Sequence, residues 1–560
     1  MAKFTIYQVL VRHFGNRIKT NKFDGTLAEN GCGKMNNFTA KALTEIKNLG
    51  ISHVWFTGIL EHATQTNYAD NGIKPDHKAV VKGKAGSPYA VKDYYDVDPD
   101  LAVDVDKRML EFENLVKRTH KADLKVIIDF IPNHVAREYH SDAKPDGIKD
   151  LGETDNSSWA FSPLNNFYYI PNQAFKPNFD IKDYTEFPAK ATGNDQFTAT
   201  PTVNDWYETI KLNYGVNYIE GGQKQFDPLP DTWLKMYDIL HFWASKKVDG
   251  FRCDMAEMVP VEFWGWVIPR LKNNFPELIF IAEVYNPNEY RNYIFNGKFD
   301  YLYDKVGLYD KLRAILTENH SASDISHCWQ GLDGIESNML NFLENHDEQR
   351  IASDFFCKDA KRAFPAMVVA ATLTKAPVMI YSGQELGEKG MENEGFSGPD
   401  GRTTIFDYRS IETVSNWFNN GKFGEDKLTD EQKLIKSFYK KLMSITLTEK
   451  AITHGQLYDL EYANFENPHF NTNKQFAFLR KFENELLLIV VNFNSNEANI
   501  KISIPLEVFD FLQIENGKQV FVNDILNADK EEFKTILTST EKFEILVPRL
   551  SACILKIVQI

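Results

Sequence analysis

VIIDFIPNH, residues 126–134, opens as an unbroken apolar run and ends in polar residues that include Asp129, Asn133 and His134. So short a run reads as a strand buried on both faces, which delivers its polar end to one edge of a parallel sheet. Three further segments share this build and follow in order: GFRCD (250–254), FIAEVY (280–285) and FLENHD (342–347). Each carries a carboxylate to the same edge. Four such ends side by side make a catalytic face.

Working outward, the strand at 125–130 is preceded by strand-like runs at 5–11 and 53–56 and followed by others at 250–254 and 278–283. Less distinct strands lie near Tyr301 and at 339–343 and 378–382. Helical spacing fills the intervals. Thr39 is a candidate cap ahead of Leu43, Ile46 and Leu49, with a stop at Gly50; Met109, Phe112 and Val116 form a second face; Trp233, Met236, Leu240 and Trp243 a third. Eight alternating strands and helices predict an α/β chain closed into a (β/α)8 barrel rather than an open sheet.

The alternation breaks between about residues 135 and 229, where Asn, Pro, Gly and aromatics dominate. So long a stretch inside a compact protein predicts a small inserted domain, lying over the catalytic face because it leaves from the end of the third strand. Beyond about residue 448, short alternating runs such as QFAFLRKF and ELLLIVVNF predict an antiparallel β-sandwich. The expected organisation is therefore 1–134 and 230–447 for the barrel, 135–229 for the insertion and 448–560 for the β domain. The scattered aromatics Tyr458, Tyr462 and Phe465 are assigned to the core of that last domain.

Composition limits the function. With 560 residues the chain exceeds one ordinary core, and its 43% hydrophobic and 25% charged residues are the usage of a soluble globular protein. A net charge of -15 argues against nucleic acid or an anionic membrane as the partner, whereas a neutral ligand suits that field. Cys32, Cys253, Cys328, Cys357 and Cys553 are odd in number and lack CxxC spacing, which favours a reducing compartment. The start, MAKFTIYQVL, lacks the pattern of a signal peptide, so a cytoplasmic protein is expected.

On the strand at 250–254, the period of two places Arg252 and Asp254 on the inward face and Cys253 toward the helices. Beside Arg252, Asp254 is expected to stay ionised, as a nucleophile must. Glu283 ends an apolar strand, where a carboxyl tends to keep its proton, as a general acid must. Two carboxyls with opposed environments are the parts of glycoside hydrolysis, and a separation of about 5 to 5.5 Å makes the reaction retaining. Asp347, beside His346, is placed to stabilise positive charge at the anomeric carbon. His134 and Tyr89 complete a sugar pocket. Taken singly, each has an ordinary reading as a cap, a structural ion pair or packing. Their joint arrival at successive strand ends is what points to chemistry.

The four segments resemble the four signature regions of the α-amylase family, glycoside hydrolase family 13. YAVKDYYDVDP (89–99) and APVMIYSGQELG (376–387) resemble further segments of that family, and the likeness spans barrel, insertion and terminal β domain. The resemblance implies Asp254 as nucleophile, Glu283 as acid/base and Asp347 as transition-state stabiliser. It also implies Arg252, His134, His346 and Tyr89 in the subsite of the attacked sugar, with Asp129 supporting Arg252. The expected activity is retaining hydrolysis of α-1,4 bonds in starch-derived oligosaccharides, with no cofactor needed for the chemistry. The alternatives are a transglycosidase, an α-glucosidase or cyclomaltodextrinase of the same family, and a non-catalytic carbohydrate-binding protein. Two departures stand out. Glu257 and Met258 occupy the positions where many members carry Lys and His. Of the structural calcium site that the resemblance implies, only Asn133 is recognisable, so calcium is left open.

Overall fold

The structure, a computed structural model, describes residues 3–527 and 532–559. Eight parallel strands, Thr5–Leu10, His53–Thr57, Lys125–Phe130, Gly250–Cys253, Ile279–Ala282, Tyr301–Tyr303, Met339–Leu340 and Val378–Tyr381, pair in sequence order, and the first also pairs with the eighth. A bridge from Asn341 to Val378 joins the seventh strand to the eighth and closes the ring. The molecule is thus built on a (β/α)8 barrel.

The period of two sorts each strand. Ile127, Ile279, Ile281, Tyr303, Leu340 and Met379 cluster as the barrel filling. Their neighbours Val126, Ile128, Phe251, Cys253, Phe280 and Ala282 join the outer core against the helices. Helix Ala40–Lys47 starts where Thr39 accepts a hydrogen bond from the Ala42 amide (3.2 Å). Helix Asp231–Ser245 buries Trp233, Met236, Leu240 and Trp243, the four residues at helical spacing. Each such burial contributes roughly 1.5–3 kcal/mol, which explains why the pattern outweighs propensity here.

Between the third strand and helix Asp231–Ser245 the chain makes only short ribbons. His134–Ala136 pairs with Thr209–Lys211, Tyr169–Ile170 with Ala189–Lys190, and Val216–Asn217 with Gln223–Lys224. Polar side chains replace the missing ladders. Asn213 Nδ2 donates to the carbonyls of Ser162 (2.7 Å) and Asn165 (2.9 Å), and Asp155 accepts from the amides of Asn166 (2.7 Å) and Phe167 (3.0 Å).

The C-terminal region is a six-stranded antiparallel sheet in the order Gln456–Asp459, Gln475–Phe482, Glu485–Asn492, Ser551–Gln559, Lys518–Asp524, Phe533–Leu537. One face is covered by the ribbon of Ala498–Ile502 and Phe543–Val547 and by helix Leu506–Leu512, so the sandwich is lopsided. The other face sends Phe476, Phe478, Leu487, Ile489 and Ile554 into the barrel's own core. The aromatic assignment is corrected here. Tyr462 and Phe465 are 56% and 70% exposed, because they sit in and just after the short helix Glu461–Asn464 outside the sheet faces.

Candidate active site

Arg252 organises the C-terminal rim of the barrel. Its strand pairs with the third so that Arg252 lies opposite Asp129, and with the fifth so that it lies opposite Ile281, two residues before Glu283. The guanidinium is fully buried. Its Nη1 donates to Asp254 Oδ1 (2.7 Å), its Nη2 lies 2.8 Å from Glu283 Oε2, and its Nε donates to the Tyr303 hydroxyl (3.0 Å). The Nη2 contact is ionic: its angle does not make a hydrogen bond. Asp254 and Glu283 are thereby bridged by one cation. Asp129 sits 3.7 Å from Nη1 and accepts from Trp55 Nε1 (3.0 Å) and the Tyr89 hydroxyl (3.4 Å).

Electrostatics correct one expectation. Asp254 does not fall below the ordinary carboxyl range: burial raises it, and the pull of Arg252 offsets only part of that. Taking a carboxylate out of water costs more than one ion pair returns. Burial also raises Glu283, again against Arg252, with the negative charge of Asp254 adding to the rise. Asp347 is raised well above its ordinary value, by burial and then by Glu283, although about a third of its side chain faces the cleft. Asp129 is pushed up to about 7 by burial, with Arg252 opposing. A single arginine facing four buried carboxyls does not offset their desolvation, and the upward direction at Glu283 is the one a general acid needs.

The two histidines are neutral. Burial, and then Lys211, lowers His134 to about 3. Burial and the nearby Arg252 hold His346 well below its ordinary value. With Gln8 Nε2 donating to His346 Nδ1 (2.7 Å), the ring proton lies on Nε2, 3.1 Å from Asp347 Oδ2. Tyr89 stacks on His346 with ring centroids 4.9 Å apart. All seven residues singled out from the sequence therefore gather at one rim, and all but Arg252 and His346, which lie behind it, line one cavity of about 410 Å³. That size suits a small-molecule ligand.

Other contacts were not foreseen. The Tyr285 hydroxyl donates to Glu283 Oε1 (2.5 Å), and the Met255 amide donates to Oε2 (2.8 Å) from a left-handed backbone (φ 42°). Tyr285 was open to discovery, since it lies two residues beyond Glu283 on an extended chain; the Met255 amide carried no sequence signal. Trp206, Phe396 and Phe406 add aromatic walls from the insertion and from the loop after the eighth strand.

Asn133 belongs to a different arrangement. Its Oδ1 accepts from Lys211 Nζ at 2.5 Å, and this buried ammonium also pairs with Asp195 Oδ1 (2.6 Å) and donates to the Met258 carbonyl (3.4 Å). The Lys211 amine occupies this oxygen cage as a donor, so the residues here do not fit a divalent cation. Lys211→Met should destabilise the protein by about 2–3 kcal/mol, less than the roughly 3–5 kcal/mol of a fully buried pair because Asp195 is more than a third exposed. Urea unfolding followed by tryptophan fluorescence reads this as a lower midpoint at unchanged slope; an unchanged midpoint contradicts the cage.

A barrel that presents buried carboxyls around one arginine, beneath aromatic walls, has the build of an enzyme acting on sugars. The family model described as "Alpha amylase, catalytic domain" matches residues 17–444, most of the chain. The chain belongs to the α-amylase family, and it is a glycoside hydrolase. Among curated relatives it is similar to Alpha-amylase 3 of Dictyoglomus thermophilum, at 23% identity over 91% of this chain and 89% of that protein. It is also similar to a cyclomaltodextrinase of Thermoanaerobacter pseudethanolicus, at 23% identity over 88% and 71%. Among solved structures, the α-amylase of Geobacillus thermoleovorans complexed with acarbose shares the fold, with a TM-score of 0.63 at 20% identity over 99% of this chain and 98% of that one. No helix among the described residues is long and apolar enough to cross a membrane.

Proposed function

We propose that the protein hydrolyses α-1,4 glycosidic bonds of malto-oligosaccharides or starch with retention of configuration. The observation that carries this reading is the bridging of Asp254 and Glu283 by one guanidinium, whose two terminal nitrogens lie 2.7 and 2.8 Å from them. Such closeness supports the short separation of retaining enzymes rather than the wide gap that inverting enzymes keep for a water. Glu283 protonates the glycosidic oxygen while Asp254 attacks the anomeric carbon; the C–O bond to the leaving sugar breaks and a glycosyl ester forms. Glu283, now a carboxylate, takes a proton from water, whose oxygen displaces Asp254 and regenerates both groups. Asp347 stabilises the oxocarbenium-like charge. Arg252 holds both carboxyls in place, Tyr89 and His134 bind the sugar at the attacked position, His134 as a neutral hydrogen-bonding group and Tyr89 as an apolar face, and His346 supports Tyr89 and Asp347 from behind. The likeness to both an α-amylase and a cyclomaltodextrinase supports a glucan substrate.

The test is a time course of products from maltoheptaose, amylose and pullulan, with the anomer of the first product read by NMR. The expected result is α-configured product before mutarotation. A β-configured first product rejects the double displacement, products longer than the starting oligomer assign transglycosylation, and no product from any of the three returns the binding-protein reading.

A further inference from the structure

Outside the cleft, the hairpin that follows the second barrel strand holds three buried carboxylates together. Strand Leu60–His62 runs antiparallel to Val91–Val97, with Leu60 opposite Val97 but Glu61 opposite Asp93. The register jumps between those two pairs, leaving Tyr94, Tyr95 and Asp96 in a bulge. On a regular strand, residues three apart face opposite ways; the bulge turns Asp96 back toward Asp93. Oxygens of Glu61, Asp93 and Asp96 then lie within 4.8 Å of one another, and the residues are 1%, 0% and 3% exposed.

Donors already fix two of the three. Asp93 accepts from the Ser141 hydroxyl (2.6 Å) and from the amides of Tyr95 (2.8 Å) and Ala143 (3.1 Å). Asp96 accepts from the Val97 amide (2.7 Å) and pairs with Arg108. Glu61 is different: neither of its buried oxygens has a hydrogen-bond partner. Among the described residues no cationic side chain pairs with Glu61 or Asp93. Lys92, the nearest candidate by sequence, sends its amine instead to Asp76 (3.2 Å) and the Lys74 carbonyl, and the neighbouring Asp98 pairs with His62 (2.8 Å). A buried carboxyl without a counter-charge either keeps its proton or meets a cation that takes the proton's place.

We propose that Glu61, Asp93 and Asp96 form a site for a hard divalent cation, calcium by size. Metal–oxygen bonds of about 2.3–2.6 Å let one calcium span oxygens up to this far apart, and its flexible shell accepts ligands fixed by the protein more readily than the near-ideal octahedron that magnesium demands. Arg108 and the donors to Asp93 orient the ligands from behind. Since Ser141 and Ala143 lie in the inserted region, the ion ties that region to the hairpin whose second strand begins two residues after Tyr89.

The test uses the full chain stripped with EGTA, titrated with calcium chloride and then magnesium chloride by calorimetry, with thermal melts alongside. Wild type is expected to bind one calcium ion at this site and to melt at higher temperature in its presence. Glu61→Gln should weaken calcium binding at least about tenfold and abolish the calcium-dependent rise. Asp93→Asn should do the same, and Glu61→Gln keeps the test decisive if loss of the Asp93 contacts prevents folding, because Glu61 makes no hydrogen bonds to lose. Two outcomes overturn the proposal: no calcium response in wild type, or a response of equal affinity in Glu61→Gln, which puts the ion elsewhere. Magnesium binding as tight as calcium overturns the choice of ion.

Discussion

Asp254→Asn should lower kcat on maltoheptaose by about 10⁴-fold or more, the scale seen when a covalent nucleophile is removed. The amide keeps the shape of the carboxylate, and its oxygen still accepts from Arg252 Nη1, so the pocket should hold its form. Oligosaccharide affinity by calorimetry should therefore change little while turnover collapses. Removing one of several crowded acids also relieves Glu283 and Asp347, both of which are raised in part by the charge of Asp254. The thermal midpoint should hold or rise. A variant with retained turnover would exclude Asp254 as the nucleophile; lost binding together with lost turnover would assign it a structural role.

Glu283→Gln should cost about 10²–10⁴ in kcat on maltoheptaose, the range of general acid–base catalysis. The size of the loss should depend on the leaving group. A 4-nitrophenyl maltoside needs little protonation, so formation of its glycosyl ester should be nearly preserved and a burst of nitrophenol should precede slow turnover. Azide, which needs no base, should accelerate that slow phase and yield an α-glycosyl azide. The pH profile carries a further signature. Burial raises the Glu283 carboxyl, so the wild-type alkaline limb of kcat/KM should lie above the ordinary glutamate range and should vanish in the variant. Persistence of that limb would assign it to another group.

Much of the barrel was legible because its signals are local. The strands at 53–57, 125–130 and 250–253 are short apolar runs, and the helix at 231–245 carries four large apolar residues at helical spacing. The inward pairing of Arg252 with Asp254 follows from alternation alone. What escaped depends on the third dimension. Desolvation of Asp254 is set by every atom around it, not by the arginine two residues away. The Lys211 ammonium meets Asn133 across 78 residues, and no pattern in the insertion announces it, since its strands are only two or three residues long. Tyr462 and Phe465 read as core because aromatics in a β-rich segment usually are; their exposure reflects a short helix that the alternation hides.

The terminal sheet has a consequence for how the protein is made. Strand Ser551–Gln559 lies in the middle of that sheet, between Glu485–Asn492 and Lys518–Asp524, and Ile554 on it packs in the barrel core. The buried Arg480 donates to the carbonyl of Leu373, at the end of a barrel helix, as well as to those of Ala451, Ile452 and Gly455. A ribosome delivering the chain from its N-terminus releases the whole barrel sequence before this strand emerges. Until then the outer wall of the barrel stands partly uncovered, with the strand edge of 485–492 open to any neighbouring nascent chain. Synthesis is thus the stage at which this apolar surface is most open to wrong partners.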